Sequence, residues 1–398
     1  MLSVQFDYII AGAGASGLNL AYALNQAGLT DKRILLIERA RKAVNDRTWC
    51  FWEAGDNPFE SIVYRKWDRL AFHGDHFDQV FTIAPYQYKL LRGIDFYQYM
   101  DRWLAQQPNI ERVQADVLDI KTAADGDSAT VTTTDQTYSS AWVFSSIQPA
   151  ALSAEPLAFS PQLSARRPQH FLLQHFKGWM IETEHDTFDP DVATLMDFRV
   201  PQPLPRDMRF VYVMPFGPRR ALVEYTVFSP AALPDEEYRT GLRDYLRDVL
   251  HLDEYAIQEE ESGVIPMTDA PFDAFSSPRV MNIGTVGGRT KPSTGYTFLR
   301  IQAHSRQIAQ LLKTKGNPYV QDGFAHKRFR FFDSVLLNVL DQNRRIGKTV
   351  FTELYQRNPA QRLFKFLDEQ SSLGEELQVM LSTHLPTFAR AALNVMRR

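Results

Sequence analysis

Apolar and polar positions along this chain switch between two periods. Phe6 to Ala11 and Ile34 to Ile37 are apolar runs of strand length, and Leu18 to Gln26 between them has helix-forming composition. The pattern predicts strand, tight turn, helix, strand. Val63-Tyr64, Leu70 to His73 and Gln79 to Ile83 are short β-rich runs separated by turn signals such as His73-Gly74-Asp75. A helix is predicted over Phe96–Gln106, with Asp95 as N-cap and Gln107-Pro108-Asn109 as its stop. Ile110 to Ile120 and Ala129 to Thr134 read as a strand pair around Asp125-Gly126-Asp127. Trp142 to Ile147 reads as a buried strand returning to the first sheet.

From about 155 to 275 the pattern is rich in strands and prolines. Strands are predicted at Phe171–Phe176, Trp179–Glu182, Ala193–Val200, Arg209–Pro215 and Arg220–Phe228. Asp235 to Leu250 is an amphipathic helix with Leu242, Tyr245, Leu246 and Val249 on one face. Val280 to Gly284 is a further strand, followed by a Gly-rich turn and a helix over Phe298–Lys313. The remaining residues are helical by pattern. His384 to Arg398 is apolar, with Arg390, Arg397 and Arg398 and no acid, which suits a helix on an anionic membrane surface or a docked helix with a basic C-terminal end.

The turn after the first strand is Gly12-Ala13-Gly14-Ala15-Ser16-Gly17. In a strand–helix context, Gly12 permits the turn, Gly14 lets a pyrophosphate approach the backbone, and Gly17 lets helix and strand pack closely. Free N–H groups at the helix start face the phosphates. Glu38 ends the second strand about 20 residues on, where a ribose-binding acid belongs. A dinucleotide site is therefore predicted at Gly12, Gly14, Ala15, Ser16, Gly17, Glu38 and the adjoining Arg39.

Composition narrows the classes. The chain has 398 residues, 44 basic and 47 acidic, for a net charge of -3, and so lacks the basic surplus of a nucleic-acid binder. Cys50 is the single cysteine, which leaves no internal disulfide and no cysteine metal cluster. No His/Cys/Asp/Glu cluster argues for a metal. There is no signal peptide and no transmembrane helix pattern, so the expected location is cytoplasmic, soluble or peripheral on a membrane. The 27 Phe, 16 Tyr and 6 Trp residues suit a large core or a long apolar ligand.

Four segments together resemble the flavin-dependent lycopene cyclase family, the β-cyclases of carotenoid biosynthesis. They are Gly12 to Gly17 with Glu38, Asn45-Asp46-Arg47-Thr48-Trp49-Cys50-Phe51-Trp52, Ala221-Leu222-Val223-Glu224-Tyr225-Thr226, and Gly287-Gly288-Arg289-Thr290-Lys291-Pro292-Ser293-Thr294-Gly295-Tyr296. Leu195 to Arg199 also looks like a family segment. The resemblance implies a mixed α/β fold like that of flavoprotein hydroxylases and geranylgeranyl reductases: a Rossmann-type FAD-binding domain interleaved with a sheet-based substrate domain, and a helical C-terminal part. The FAD domain would comprise 1–60, 90–150 and 276–315, the substrate domain 61–89 and 151–275, and the helical region 316–398, facing the membrane. The implied activity is a redox-neutral closure of the ψ-ends of lycopene to β-ionone rings, through γ-carotene to β-carotene. It would need reduced FAD, with NAD(P)H as external reductant and a membrane-held substrate. By the same resemblance Arg47, Thr48, Trp49, Arg92, Gly284, Gly288, Pro292, Thr294, Gly295 and Tyr296 join the cofactor site.

The chemistry stands apart from the name. Ring closure needs a proton on a terminal alkene, a stabilised cation and exclusion of water. A carboxylic acid in an apolar pocket stays protonated near neutral pH, and aromatic faces stabilise a cation by roughly 0.5–2 kcal/mol each. Glu224 is the candidate acid. Strand geometry puts Leu222, Glu224 and Thr226 on one face, opposite Val223, Tyr225 and Val227. The family motif has a second acid where this chain has Tyr225. Asp197 is the second candidate carboxylate, with a structural Asp197–Arg199 pair as its alternative. Two other classes share the scaffold: an FAD-dependent monooxygenase or prenyl-chain reductase on an isoprenoid, and a non-catalytic flavin- or carotenoid-binding protein.

Overall fold

The computed structural model describes residues 4–147, 170–202, 207–320, 323–343 and 347–397. The part of the predicted substrate domain between 151 and 169 lies outside them, as does Arg398. The chain opens with β1 (Val4–Ala11), α1 (Ala15–Gln26) and β2 (Ile34–Glu38). β1 and β2 are parallel neighbours. The end of β1 and most of β2 are buried, and strands covered on both faces read as unbroken apolar runs.

β3 (Thr48–Glu53), β4 (Arg65–Trp67) and β7 (Gln87–Arg92) form a small antiparallel sheet in the order β3–β7–β4. Between them the hairpin of β5 (Arg69–Gly74) and β6 (Phe77–Thr82) leaves for a different sheet. Residues 61–89 therefore divide between two sheets, and Val63-Tyr64 precede β4 instead of forming a strand. α2 spans Gly93–Leu104, not Phe96–Gln106. Asp95 is no cap: it sits in the first turn, where the helix dipole favours a carboxylate, and grips Arg92 (Nε–Oδ2 2.6 Å).

β8 (Ile110–Gln114), β9 (Val117–Thr122), β10 (Ala129–Thr133) and β11 (Thr137–Ser145) follow. β8 lies beside β2 and β11 beside β1, both parallel, while β9 and β10 are an antiparallel hairpin on the flank of β11. The single strand predicted over 110–120 is two, because β8 follows β2 and β9 turns away to meet β10.

The second sheet holds β12 (Phe171–Glu182), β13 (Val192–Asp197), β14 (Met208–Gly217), β15 (Arg220–Ser229) and β16 (Ala256–Thr268), in the order β16–β12–β15–β14–β13–β5–β6. The two strands predicted at 171–176 and 179–182 are one, β12, running through Gly178. β16 was not predicted. Its Gln258-Glu259-Glu260-Glu261 run lies at the edge of the sheet, where strands carry charge as protection against further pairing. α3 (Asp235–Asp248) covers one face, packing Tyr238, Leu242, Tyr245 and Leu246 on Val211, Val223, Tyr225 and Val227.

β17 (Phe275–Ser277) and β18 (Val280–Asn282) rejoin the first sheet, β18 parallel to β11, and α4 (Phe298–Lys315) packs in the first core with α1. The helical end is α5 (Phe324–Asn343), α6 (Gly347–Arg357), α7 (Ala360–Leu367), α8 (Leu373–Leu381) and α9 (Leu385–Met396). Leu337, Leu340, Tyr355 and Phe364 from α5, α6 and α7 pack on the second sheet's other face, with Phe72, Phe210, Met214 and Leu222. The second sheet is thus roofed on one side by α3 and on the other by the C-terminal helices and the small sheet.

Candidate active site

The Gly-rich turn has the geometry of a phosphate cradle. Gly12 has φ +99°, and a Cβ there would lie 2.3 Å from Ser146 Oγ. A Cβ on Gly17 would strike the Gly12 carbonyl, so helix and strand meet closely there. A Cβ on Gly14 would meet nothing within 4 Å, leaving space for a ligand, and Gly14 caps α1 without a side-chain bond, leaving amides free. Ala15 opens α1 and Ser16 is buried against Gly284, which has φ +66°. Gly288 (φ +72°) is held against Phe272. Glu38 turns toward the cradle: its Oε2 accepts from the Ala13 N–H, and its Oε1 from the Arg39 N–H at 3.2 Å. These features fit a dinucleotide.

β3 is a wall between two compartments. Its alternation sends Trp49 and Phe51 into the core that packs on the first sheet, where both stack on Phe298 (centroids 5.0 and 5.4 Å). Thr48, Cys50 and Trp52 face the second sheet. Cys50 Sγ is 3.3 Å from Met214 Sδ, and Trp52 Nε1 donates to Asp368 Oδ2 at 2.7 Å. Trp52 also stacks on Phe364 (4.6 Å) and meets Tyr296 edge-on (4.5 Å). Arg47 is mostly exposed, its carbonyl accepting from the Gly93 N–H. Arg92 lies over the Tyr64 ring at 4.0 Å while it holds Asp95.

The segment 291–296 is clamped from below. Lys291 Nζ lies 3.0 Å from Asp333 and 3.1 Å from Glu369, and Ser293 Oγ donates to Asp333 at 2.6 Å. The Gly295 N–H closes back on the Lys291 carbonyl at 2.9 Å. Gly295 (φ +73°) touches Gln174 of β12, where a Cβ would not fit. Pro292 and Thr294 are half-buried in the turn, and the Tyr296 hydroxyl bonds with Tyr88 and Tyr212. Burial pushes all three phenols up, well beyond the ordinary tyrosine range. Asp368, also buried, rises to about 6.

Glu224 faces this aromatic chamber from β15. It is 8% exposed and accepts from Thr226 Oγ1 at 3.0 Å. Directly across the ladder stands Gly178 of β12, and across Gly178 stands Glu261 of β16. Residues opposed on adjacent strands share a face, and two strand spacings separate the outer backbones by roughly 10 Å. The missing side chain at Gly178 lets the two glutamates reach each other over it. A Cβ there would lie 3.0 Å from Leu222 Cδ1 and 3.1 Å from Glu261 Cγ. Glu224 and Glu261 meet carboxyl to carboxyl, and Glu261 Oε2 accepts from Thr48 Oγ1 at 2.7 Å. Burial first, and the Glu261 charge second, push the Glu224 carboxyl well above the usual range. Burial also raises Glu261. The same burial and the two carboxylates raise the Cys50 thiol.

Asp197 stands elsewhere. It pairs with Val211, which pairs with Tyr225, so the register sets it on the α3 face, opposite Glu224. There it is fully buried and fully engaged, by the Arg199 guanidinium (2.6 and 3.0 Å), the Arg199 N–H (2.9 Å) and the Tyr245 hydroxyl (2.7 Å). A second catalytic carboxylate at Asp197 does not fit this geometry. The carboxyl that meets Glu224 is Glu261, hidden in the acidic run of the unpredicted edge strand. Its signal was present in the alternation of Glu261, Gly263 and Ile265 toward one face. His304 is buried in α4, and burial lowers it to about 3. Among the described residues no group of three or more His, Cys, Asp or Glu is arranged to hold a metal.

The chain is similar to known proteins in sequence and in fold. Curated relatives include a lycopene β-cyclase of Pantoea ananas, 26% identical over 74% of this chain and 71% of its own length. A chloroplastic neoxanthin synthase of Solanum lycopersicum is 24% identical over 77% of this chain, which spans 60% of that relative. A chloroplastic lycopene beta cyclase of Arabidopsis thaliana is 30% identical over 35% of this chain and 30% of its own length. In fold, a geranylgeranyl bacteriochlorophyll reductase-like protein of Thermoplasma acidophilum superposes with a TM-score of 0.62 at 12% identity, covering 99% of this chain and 100% of the other. The flavin-dependent brominase Bmp2 gives 0.61 at 13% identity, covering 99% and 100%. The mixed α/β architecture is that of the flavoprotein monooxygenase and geranylgeranyl reductase group. The profile of the family described as lycopene cyclase protein matches residues 7–395, nearly end to end, and the chain belongs to that family.

Proposed function

We propose that the protein is a lycopene β-cyclase, closing the ψ-ends of lycopene to β-ionone rings without net redox change. The observation that carries the reading is Glu224: a carboxyl with no cationic partner among the described residues, its proton affinity raised by burial, in a chamber walled by Trp52, Tyr88, Tyr212, Tyr296, Phe210 and Phe364. Glu224 delivers its proton to the terminal alkene. The aromatic faces stabilise the resulting tertiary cation, each by roughly 0.5–2 kcal/mol. The neighbouring alkene attacks it, and loss of a ring proton completes the β ring. The apolar walls keep out the water that would trap the cation.

The Gly12–Gly17 cradle, Glu38 and the Gly284–Gly288 turn fit FAD, with Arg39, Arg47, Thr48, Trp49 and Arg92 along the path from the cradle to the chamber. Bound there in its reduced form, FAD would supply a negative charge that favours a cation. The turn Pro292–Tyr296 and the amides at the start of α4 would favour that charge. NAD(P)H is the proposed external reductant.

Substrate reaches the chamber from a membrane surface. Among the described residues no helix is long and apolar enough to cross a membrane. Leu373, Leu377 and Leu381, four residues apart along α8, are exposed, as are Leu385, Leu393 and Met396 on α9. Arg390 and Arg397 stand exposed among the last of these, and Glu376 of α8 turns inward to Arg328 at 2.8 Å. This surface is the proposed seat on an anionic bilayer. Leu377→Gln with Leu381→Gln should cut co-sedimentation with phosphatidylglycerol vesicles at least tenfold, since each buried leucine is worth roughly 1.5–3 kcal/mol. Unchanged sedimentation would exclude the surface.

Expression in cells that accumulate lycopene tests the function. β-Carotene or the one-ring γ-carotene is the expected pigment. Unchanged lycopene beside a folded, flavin-loaded protein would reject the cyclase, and a hydroxylated or chain-reduced product would move the protein to the monooxygenase or reductase class.

A further inference from the structure

Two carboxyls are brought together by a gap in the strand between them. β15 and β16 do not touch: β12 lies between, and only because residue 178 is glycine do Glu224 and Glu261 meet across it. Each is steadied by a threonine from a different element, Glu224 by Thr226 on its own strand and Glu261 by Thr48 on β3. The pairing therefore joins three strands of the second sheet to the small sheet at one point of the chamber wall. Among the described residues neither glutamate has a lysine or arginine bonded to it. Cys50 and Tyr212 face Glu224, Glu259 acts on Glu261 from its own strand, and Arg92 in the adjoining cleft is already committed to Asp95.

We propose that Glu261 is the positioning partner of Glu224: the pair holds one proton, Glu224 hands it to the substrate, and the pair takes back the proton that the new ring loses. This rests on the cyclase reading of the same chamber. The step balances. The Glu224 O–H bond breaks and a C–H bond forms at the terminal alkene carbon. The neighbouring alkene's π electrons form the ring C–C bond, and the positive charge moves to the far carbon of that alkene. A ring C–H bond then breaks, its electrons become the new ring C=C bond, and its proton returns to the pair. After delivery two carboxylates face each other in an apolar site, which makes the pair a strong proton acceptor at that moment. No exchange with bulk water is required between successive ring closures.

The test is Glu261→Gln in the flavin-loaded, reduced protein, with the rate of ring formation followed from pH 5 to 9. Gln keeps the shape and can still accept from Thr48. With the neighbouring charge gone Glu224 becomes a stronger acid, ionised at lower pH, so the alkaline limb of activity should move toward acid by about 1–3 units. The rate at pH 8 should fall at least tenfold, with partial recovery on acidification. A wild-type rate and profile would overturn the proposal. Infrared spectra give a readout apart from turnover. A protonated-carboxyl C=O band at neutral pH should vanish in Glu224→Gln and shift in Glu261→Gln, whose amide is a weaker acceptor. Absence of the band in the wild type, or its indifference to Glu261→Gln, would overturn the proposal too. If the wild type fails to cyclise lycopene while the band behaves as described, the cyclase reading fails and the carboxyl pair stands.

Discussion

The two faces of the second sheet each bury a carboxylate, and they treat it in opposite ways. On the α3 side Asp197 is fully covered, yet it meets a guanidinium, a phenol and a backbone amide. Every lone pair has a donor, and the site is finished. On the chamber side Glu224 is covered as well, but its neighbours are a threonine, another carboxyl and aromatic rings. Both are buried, and sequence separation is modest. The difference lies in the partner: a cation fixes an acid as structure, whereas a second acid and an apolar wall keep a proton on it, ready to leave. Burial by itself marks neither as functional.

The sharpest way to break the comparison is Glu224→Gln. A general acid contributes roughly 10²–10⁴-fold, so β-ring formation should fall by about that factor, and retained activity would dismiss Glu224. The same variant has a signature in stability. Because the folded-state value of Glu224 is raised, the native protein binds this proton more tightly than the unfolded chain. Its contribution is fully present below the unfolded value and is lost as pH rises through the folded one. Glu224→Gln should therefore flatten the decline of the melting temperature on the alkaline side, a change read by calorimetry across pH.

Asp197→Asn should do the reverse. Removing the charge leaves Arg199 without its carboxylate, at a cost of about 1–3 kcal/mol in urea unfolding, tempered because Arg199 is 43% exposed. Ring formation per folded molecule should stay within about threefold. A loss comparable to that of Glu224→Gln would place Asp197 in the chemistry after all. Gly178→Ala probes the gap: its Cβ presses on Leu222 and Glu261, and activity should drop about tenfold with a stability change near 1 kcal/mol. Least of all, Thr226→Val removes one neutral hydrogen bond from Glu224, worth about 0.5–1.5 kcal/mol, and should alter the rate by a few-fold.

Legibility in the sequence followed periodicity and motif density. The β1–α1–β2 unit, the Gly-rich turn and α3 were readable because each carries a long apolar period or fixed glycines. The alternation of β15 was readable too, and correctly sent Glu224 and Tyr225 to opposite faces. Asp95 was misread as a cap, since the residue preceding Gly93, not a side-chain acceptor, ends the strand. β12 was split at Lys177-Gly178, where glycine looks like a turn, and β16 was missed because Gln258 to Glu261 break the apolar alternation that marks a strand. The error at β16 cost the site most, for it hid Glu261.

What the sequence by itself determined is local: a phosphate cradle at Gly12–Gly17, an acid on a strand at Glu224, a flanking run of Thr48, Trp49, Cys50 and Trp52, and membership in a family that their order along the chain conveys. Period-2 and period-3.6 patterns encode which way a side chain points from its own element. What only the tertiary structure decided is which elements adjoin. Strand order places β12 between β15 and β16, and register sets Gly178 opposite both glutamates. These depend on pairings between residues tens of positions apart, to which local propensity contributes nothing. Hence the acid was visible in the chain, and the partner that keeps its proton was visible only in the sheet.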